Sequence, residues 1–347
     1  MMHSILITVQ IVAILGTISS SLYYLLCLWG AAAFLRQPAP SGVRPAPALP
    51  PVSNLKPLKG TDPEMYQSFR SHCLQDYPEY EIIFGVSDAN DPAIDIVRQL
   101  QSEFPDRRIK VVVCPNILGA NVKVSNLAQM LAEARYNYLV VNDSDIRVDP
   151  DYLRRVIAPL NDPQVGMVTC LYRGLPSATL GSRLEGLGIS TDFCPSVLAA
   201  RQLERGIRFG LGSTLAFRRA DLEKIGGFHS FVDYLADDYE LGKRISDLGL
   251  SVTLSSVVVE TYLPAYTMRE FFAHQLRWAR GVRDARASGY LGLIFTFGLS
   301  WGVLALASSR AAWWGWVAVI IAASLRFAVA LATGGLVLRD SQILKNT

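Results

Sequence analysis

The stretch Tyr136–Leu153, YNYLVVNDSDIRVDPDYL, decides how the rest of the chain is read. Its apolar run, Leu139-Val140-Val141, stops at Asn142-Asp143-Ser144-Asp145, and Asp149 and Asp151 follow. A short apolar run rich in β-branched residues and closed by turn formers reads as a buried strand. The Asp-x-Asp at its end has two physical readings. Asp and Ser bond their own backbone and make turns. Two carboxylates this close also suit a hard divalent cation, which takes oxygen ligands. Local sequence leaves both open.

Upstream the pattern repeats. Val52–Leu58 reads as a strand, and Asp62-Pro63 opens a helix toward Gln75, with Asp62 as its cap. Glu81–Val86 is a strand, and DPAIDIVRQLQSEF is a helix begun by Asp91-Pro92. Ile109–Cys114 is a third strand, and a helix near Val124–Ala134 leads to the strand Tyr138–Val141. Strands alternating with helices predict an α/β domain with a mainly parallel sheet covered on both faces. Ligands of such sheets bind beyond the carboxyl ends of the strands, so Asp88, Asp91, Asp143 and Asp145 are expected on one rim. For Asp91, a helix cap and a nucleotide contact both remain open.

Two later clusters carry chemistry. ADDYELGKRI sets Asp237-Asp238 at the head of a helix pattern, where carboxylates also complement the macrodipole. FFAHQLRWARGV sets Gln275, Arg277 and Trp278 just before an apolar run. Such a stretch can meet lipid headgroups, or clamp a pyrophosphate with arginine beside an aromatic platform. The glycine-rich GLGSTLAFRRADLEKIGGF lacks the Gly-Lys-Ser/Thr ending of a phosphate loop.

The 347 residues are 50% hydrophobic and 18% charged, and the apolar excess sits at the two ends. Ile5–Trp29 carries no formal charge and is long enough to cross a bilayer. Arg36, Arg44, Lys56 and Lys59 follow it, so the positive-inside rule puts the N-terminus outside and the remainder in the cytoplasm. Tyr290–Ala307 and Ala311–Leu338 then form a membrane hairpin, with Trp313, Trp314 and Trp316 as an interfacial belt. Arg326 inside the second run is costly there and needs a partner or a route to the interface. The organisation expected is an anchor (1–36), a proline-rich linker (37–51), a cytoplasmic catalytic domain (52–286) and a C-terminal hairpin with a short tail (287–347). A net charge of +3 points to no nucleic-acid partner. The five cysteines are scattered, which excludes a zinc or disulfide framework and fits a reducing compartment.

Six pieces in order, PVSNLKPLKG, NDPAID, NVKVSNL, NDSDIRV, ADDYELGKRI and QLRWAR, resemble the ceramide glucosyltransferase family of membrane-anchored, inverting glycosyltransferases. The resemblance spans Pro51–Arg283. It implies a GT-A nucleotide-sugar-binding domain with a mixed, mainly parallel sheet between transmembrane helices. It also implies roles. Asp91 and Lys123 would contact the sugar nucleotide, Asp143 and Asp145 would hold a divalent metal (Mg2+ or Mn2+) and the diphosphate, and Asp238 would be the catalytic base, with Asp237 its neighbouring rival. Gln275, Arg277 and Trp278 match the end of the family's (Gln/Arg)-x-x-Arg-Trp motif, although His274 stands at its first position.

The chemistry implied is transfer of glucose or N-acetylglucosamine from a UDP-sugar to the hydroxyl of a membrane lipid, ceramide or a hopanoid, at the cytoplasmic face (of the inner membrane in a bacterium). A processive polysaccharide synthase shares the aspartates and the Arg-Trp pair, but would carry more membrane helices to form a channel. A non-catalytic membrane scaffold that binds nucleotide sugar would not need Asp238.

Overall fold

The computed structural model describes residues 2–37 and 49–346. The proline-rich stretch expected as a linker at 37–51 falls largely outside them. In chain order the elements are α1 (Met2–Leu35), β1 (Val52–Leu58), α2 (Met65–Cys73), β2 (Tyr80–Val86), α3 (Ala93–Glu103), β3 (Arg108–Val113) and α4 (Val122–Glu133). Then come β4 (Tyr138–Val141), β5 (Ile146–Arg147), α5 (Tyr152–Ile157), β6 (Val165–Leu175), α6 (Leu180–Gly188), α7 (Cys194–Leu203), β7 (Leu215–Arg218), α8 (Arg219–Lys224) and α9 (Asp237–Asp247). The last are β8 (Ser251–Tyr262), α10 (Met268–Ala285), α11 (Ala287–Gly292), α12 (Gly298–Ser308), α13 (Trp313–Val329) and α14 (Ser341–Asn346).

The chain falls into two units, Pro38–Gly186 with Gly206–Phe272, and Met1–Gln37 with Leu187–Arg205 and Ala273–Thr347. The first is a mixed α/β unit around one sheet of order β3-β2-β1-β4-β7-β6-β8-β5. β3, β2, β1 and β4 run parallel, β7 is antiparallel to both β4 and β6, and β6 and β8 run parallel. Parallel strands buried on both faces are continuous in apolar residues rather than alternating. β1 and β2 follow that rule, with every residue buried. Val52, Leu58, Phe69, Phe84, Val97 and Val140 belong to one core beneath them.

Helix starts differ from the sequence reading in instructive ways. α2 begins at Met65, because Glu64 adopts a left-handed conformation (φ 51°) and the Asp62 carboxylate is engaged elsewhere. α3 begins at Ala93, one residue after Pro92, whose ring fits the entry to a helix.

The second unit is apolar. His3–Leu35 and Trp313–Val337 are long and apolar enough to cross a membrane, and a third span exists if a bent pair counts as one. That pair, Ala287–Thr296 and Gly298–Ser308, bends by 50°, so the apolar run over Tyr290–Ala307 is divided between two helices. The reason is tertiary. Tyr24 approaches so closely that a Cβ on Gly298 would lie 2.7 Å from its ring, and α1 supplies hydroxyls to the carbonyls at the break.

Candidate active site

The carboxyl ends of β1, β2 and β4 form the rim on which the acidic residues sit. β4 ends in buried Asn142, whose amide donates to Tyr152 Oη (2.8 Å) and to the Ser213 carbonyl (2.7 Å). These bonds tie the Asp-Ser-Asp turn to the segment before β7.

Beyond Asn142 the carboxylates are held by distinct partners. Asp143 Oδ1 pairs with Lys123 Nζ at 2.7 Å, and the same ammonium reaches Asp237 Oδ2 at 3.1 Å. Burial alone would lower the Lys123 pKa, but Asp143, Asp237 and Asp238 outweigh it and raise it, so this lysine is fully charged. Asp145 accepts from Thr261 Oγ1 at 2.5 Å, and Ser144 donates its hydroxyl to Asp62. Burial first, then the charge of Asp143, pushes the Asp145 carboxyl up to about 6.

Asp238 opens α9. Its Oδ2 accepts from the Gly212 N–H (2.8 Å), its Oδ1 from the Tyr239 N–H (2.8 Å), and its carbonyl from the Gly210 N–H (3.1 Å). Burial and then Asp237 push its carboxyl up to about 6, against the pull of Lys123. Gly212 stands between two of these carboxylates: a Cβ there would lie 2.8 Å from Asp143 Oδ2 and 3.5 Å from Asp238 Oδ2. Asp143, Lys123, Asp237 and Asp238 thus share one small space.

Lys56, in the middle of buried β1, lies beneath the turn. It is fully buried, and its Nζ donates to the Asp143 carbonyl at 2.9 Å. Burial pushes its pKa down to about 7, while Asp145 and Asp143 oppose the fall. His72 lies 3.2 Å away and is held well below its usual pKa by burial, then by Lys56. A neutral His72 can accept at Nδ1 from Asn54 and donate at Nε2 to the Ile146 carbonyl. Sequence reasoning did not single out Lys56 as a site residue. The available signal was a lysine inside a run that otherwise reads as a buried strand.

Asp91 is used differently. Its carboxylate accepts from the Gly60 N–H (2.9 and 3.1 Å) and the Ala93 N–H (2.9 Å), which joins the loop after β1 to the start of α3. Gln275, Arg277 and Trp278 lie on α10 in the apolar unit. Arg277 is exposed, and Trp278 packs against Phe193 and His274 with ring centroids 5.4 and 5.5 Å apart.

Among the described residues no three His, Cys, Asp or Glu side chains gather to hold a metal ion by themselves. Asp143 and Asp145 nonetheless fit a divalent cation of the Mg2+ type. Each carboxylate keeps an oxygen outside the bonds to Lys123 and Thr261, and such ions take one or two carboxylates together with water and phosphate oxygens.

The family model for glycosyl transferase family 21 matches residues 12–346. Ceramide glucosyltransferase 1 of Caenorhabditis elegans is 27% identical over 273 residues, 75% of this chain and 58% of that protein. Probable glycosyltransferase YdaM of Bacillus subtilis is 27% identical over 241 residues, 67% of this chain and 55% of that protein. The chain therefore spans a little over half the length of these relatives. Among solved structures, the mannosyltransferase PcManGT of Pyrobaculum calidifontis, in complex with GDP-Man and Mn2+, superposes with a TM-score of 0.60 at 23% identity, covering 97% of this chain and 90% of that one. This likeness shows a GT-A-like α/β fold.

Proposed function

The chain belongs to glycosyl transferase family 21, and on that premise we propose that it transfers a hexose, glucose or N-acetylglucosamine, from a UDP-sugar to the hydroxyl of a membrane lipid, with ceramide the leading acceptor. The observation that carries this reading is the enclosure of Asp143, Asp237 and Asp238 around Lys123 at the carboxyl rim of the sheet. A cluster of that kind serves a reaction with anionic charge on one side and a proton to remove on the other. The ceramide glucosyltransferase among the relatives supports ceramide as the acceptor, and the Mn2+ of the structural neighbour supports the metal.

Each residue then has a task. Asp238 takes the proton of the acceptor hydroxyl as its oxygen bonds the sugar carbon, and UDP departs from the opposite face with the bonding electron pair. Its two backbone N–H bonds fix the carboxylate without neutralising it. Asp237 is the weaker candidate for the base, because its carboxylate is committed to Lys123. Lys123 presents an ammonium to the diphosphate, and Asp143 and Asp145 would hold the divalent cation. When bound, that cation supplies Lewis-acid stabilisation of the charge on the leaving diphosphate. Asp91 shapes the nucleotide side through Gly60. Gln275, Arg277 and Trp278 serve the substrate from α10, Arg277 through charge-assisted bonds to phosphate. The catalytic domain faces the cytoplasm, where nucleotide sugars are made.

The direct test is transfer from radiolabelled UDP-glucose and UDP-N-acetylglucosamine into organic-extractable lipid by membranes carrying the full chain, with and without Mn2+. Metal-dependent label in lipid is the expected result. Label only in insoluble polymer would shift the reading to a polysaccharide synthase. Binding of UDP-sugar without transfer across a lipid panel would leave a scaffold.

A further inference from the structure

The apolar unit contains a polar layer built by residues far apart in sequence. Where α11 gives way to α12, the broken helix frees backbone groups that hydrocarbon cannot satisfy. α1 satisfies them. Ser20 Oγ donates to the Phe295 carbonyl (2.7 Å), Tyr24 Oη donates to the Thr296 carbonyl (3.1 Å), and the Gly298 N–H donates to Tyr24 Oη (3.3 Å). Tyr24 shares an apolar cluster with Leu325 and Val329 on α13 and faces the Arg326 side chain between them. Arg326 in turn makes a two-pronged pair with Asp192, Nη1 to Oδ1 and Nη2 to Oδ2, each 2.9 Å.

Position and exposure make this pair unusual. Arg326 lies about 20 Å along its helix from Trp313, at 1.5 Å per residue, well inside the apolar segment. A pair serving only to glue helices would be shielded by them, yet the Asp192 side chain is 55% exposed and that of Arg326 is 33% exposed. Asp192 sits on a π-helical turn, Ile189–Phe193, and a second π-helical segment, Ala330–Val337, follows α13. Turns of this type are frequent at functional sites, and an ionisable residue within a membrane segment marks one by default. The pair keeps further capacity: the guanidinium has five N–H donors, more than those facing Asp192 and Tyr24, and the carboxylate has lone pairs beyond those taken by Arg326 and Thr191.

We propose that the Asp192–Arg326 pair, beside the Tyr24-capped helix break, binds the neutral polar head of the lipid acceptor. The proposal rests on the lipid-acceptor reading above. The chemistry recognised is a hydroxyl next to an amide: the carboxylate accepts from the O–H or N–H, and the guanidinium donates to the amide carbonyl. The pair has no net charge, so it does not favour a phosphate anion over an uncharged partner.

The test uses the full chain in phosphatidylcholine nanodiscs containing ceramide. Asp192→Asn with Arg326→Gln is expected to raise the acceptor KM about tenfold or more, with the change falling on the acceptor rather than on the donor KM. The charge swap, Asp192→Arg with Arg326→Asp, keeps an ion pair but exchanges donor and acceptor positions, and is expected not to restore the acceptor KM. An acceptor KM within about twofold of wild type in the first variant, or restoration by the swap, would overturn the proposal and leave a structural ion pair. A second measurement needs no substitution. Photoactivatable ceramide should crosslink the wild-type chain within 187–205 or 313–337 and be displaced by unlabelled ceramide. Crosslinks confined to other segments, or displacement by anionic phospholipid in preference to ceramide, would also overturn it. Crosslinking needs no nucleotide sugar, so its outcome is independent of the transfer assay. A wild-type chain that transfers no sugar but retains the crosslink would remove the proposed reaction and keep the lipid site.

Discussion

Asp237 and Asp238 are chain neighbours with opposite surroundings. Asp237 is buried against the Lys123 ammonium, whereas Asp238 accepts only backbone N–H bonds from Gly212 and Tyr239 and has its carboxyl pushed up to about 6. A general base contributes roughly 10²–10⁴-fold, so Asp238→Asn should lower kcat by about 10³ while isothermal titration still detects UDP-sugar binding. Asp237→Asn should act chiefly on donor KM, because it unbalances Lys123. Equal losses of kcat in the two variants would remove the distinction. The pH profile follows from the same carboxylate. Asp238 is raised to about 6 by burial and then by Asp237, and as the proposed base it must be ionised. Activity should therefore hold above pH 6 and fall as pH drops through it. A kcat/KM profile flat down to pH 5 would contradict this.

At the scale of elements, two glycines separate a chemical role from a packing role. Gly212 faces the ends of the Asp143 and Asp238 side chains, which can move aside. Gly212→Ala should fold normally but misplace both carboxylates, and displacements of about 1 Å cost on the order of 10² in rate. Gly242 on α9 meets backbone instead: a Cβ there would lie 2.4 Å from Gly210 N and 2.5 Å from the Phe209 carbonyl carbon. That backbone cannot rotate away, so Gly242→Ala should cost about 1–3 kcal/mol of stability. Thermal melts in detergent beside steady-state rates check both: the first variant should lose rate at an unchanged melting temperature, the second should melt earlier.

At the scale of the molecule, orientation in the membrane is directly measurable. All five cysteines are buried, so they stay silent toward a membrane-impermeant maleimide and leave a clean background. His3→Cys and Asp106→Cys lie at exposed positions on α1 and on the loop before β3. With the N-terminus outside, His3→Cys should label on intact cells and Asp106→Cys only after permeabilisation. The reverse pattern would invert the topology and put the acidic rim on the side without nucleotide sugars.

Features confined to one element are legible in the chain's own pattern. The strand Tyr138–Val141 and the helix opening at Asp237 lie where pattern alone puts them, because a buried parallel strand is an unbroken apolar run and a helix start is written in its first turn. The rim of aspartates followed from the rule that loops after parallel strands face the ligand. Long-range pairings emerge only in the folded chain. The sequence shows Asp62 as a cap, but Ser144, eighty-two residues away, takes its carboxylate. Lys56 reads as an ordinary strand residue until Asp143 and His72 close over it. The run after Tyr290 is uniformly apolar, so nothing in its pattern marks the break at Phe297 that Ser20 and Tyr24 satisfy from α1. Arg326 has no acidic neighbour in sequence, and its partner Asp192 is brought to it by the fold. Periodicity records which face of an element is buried, but it carries no record of which distant polar group that face will meet.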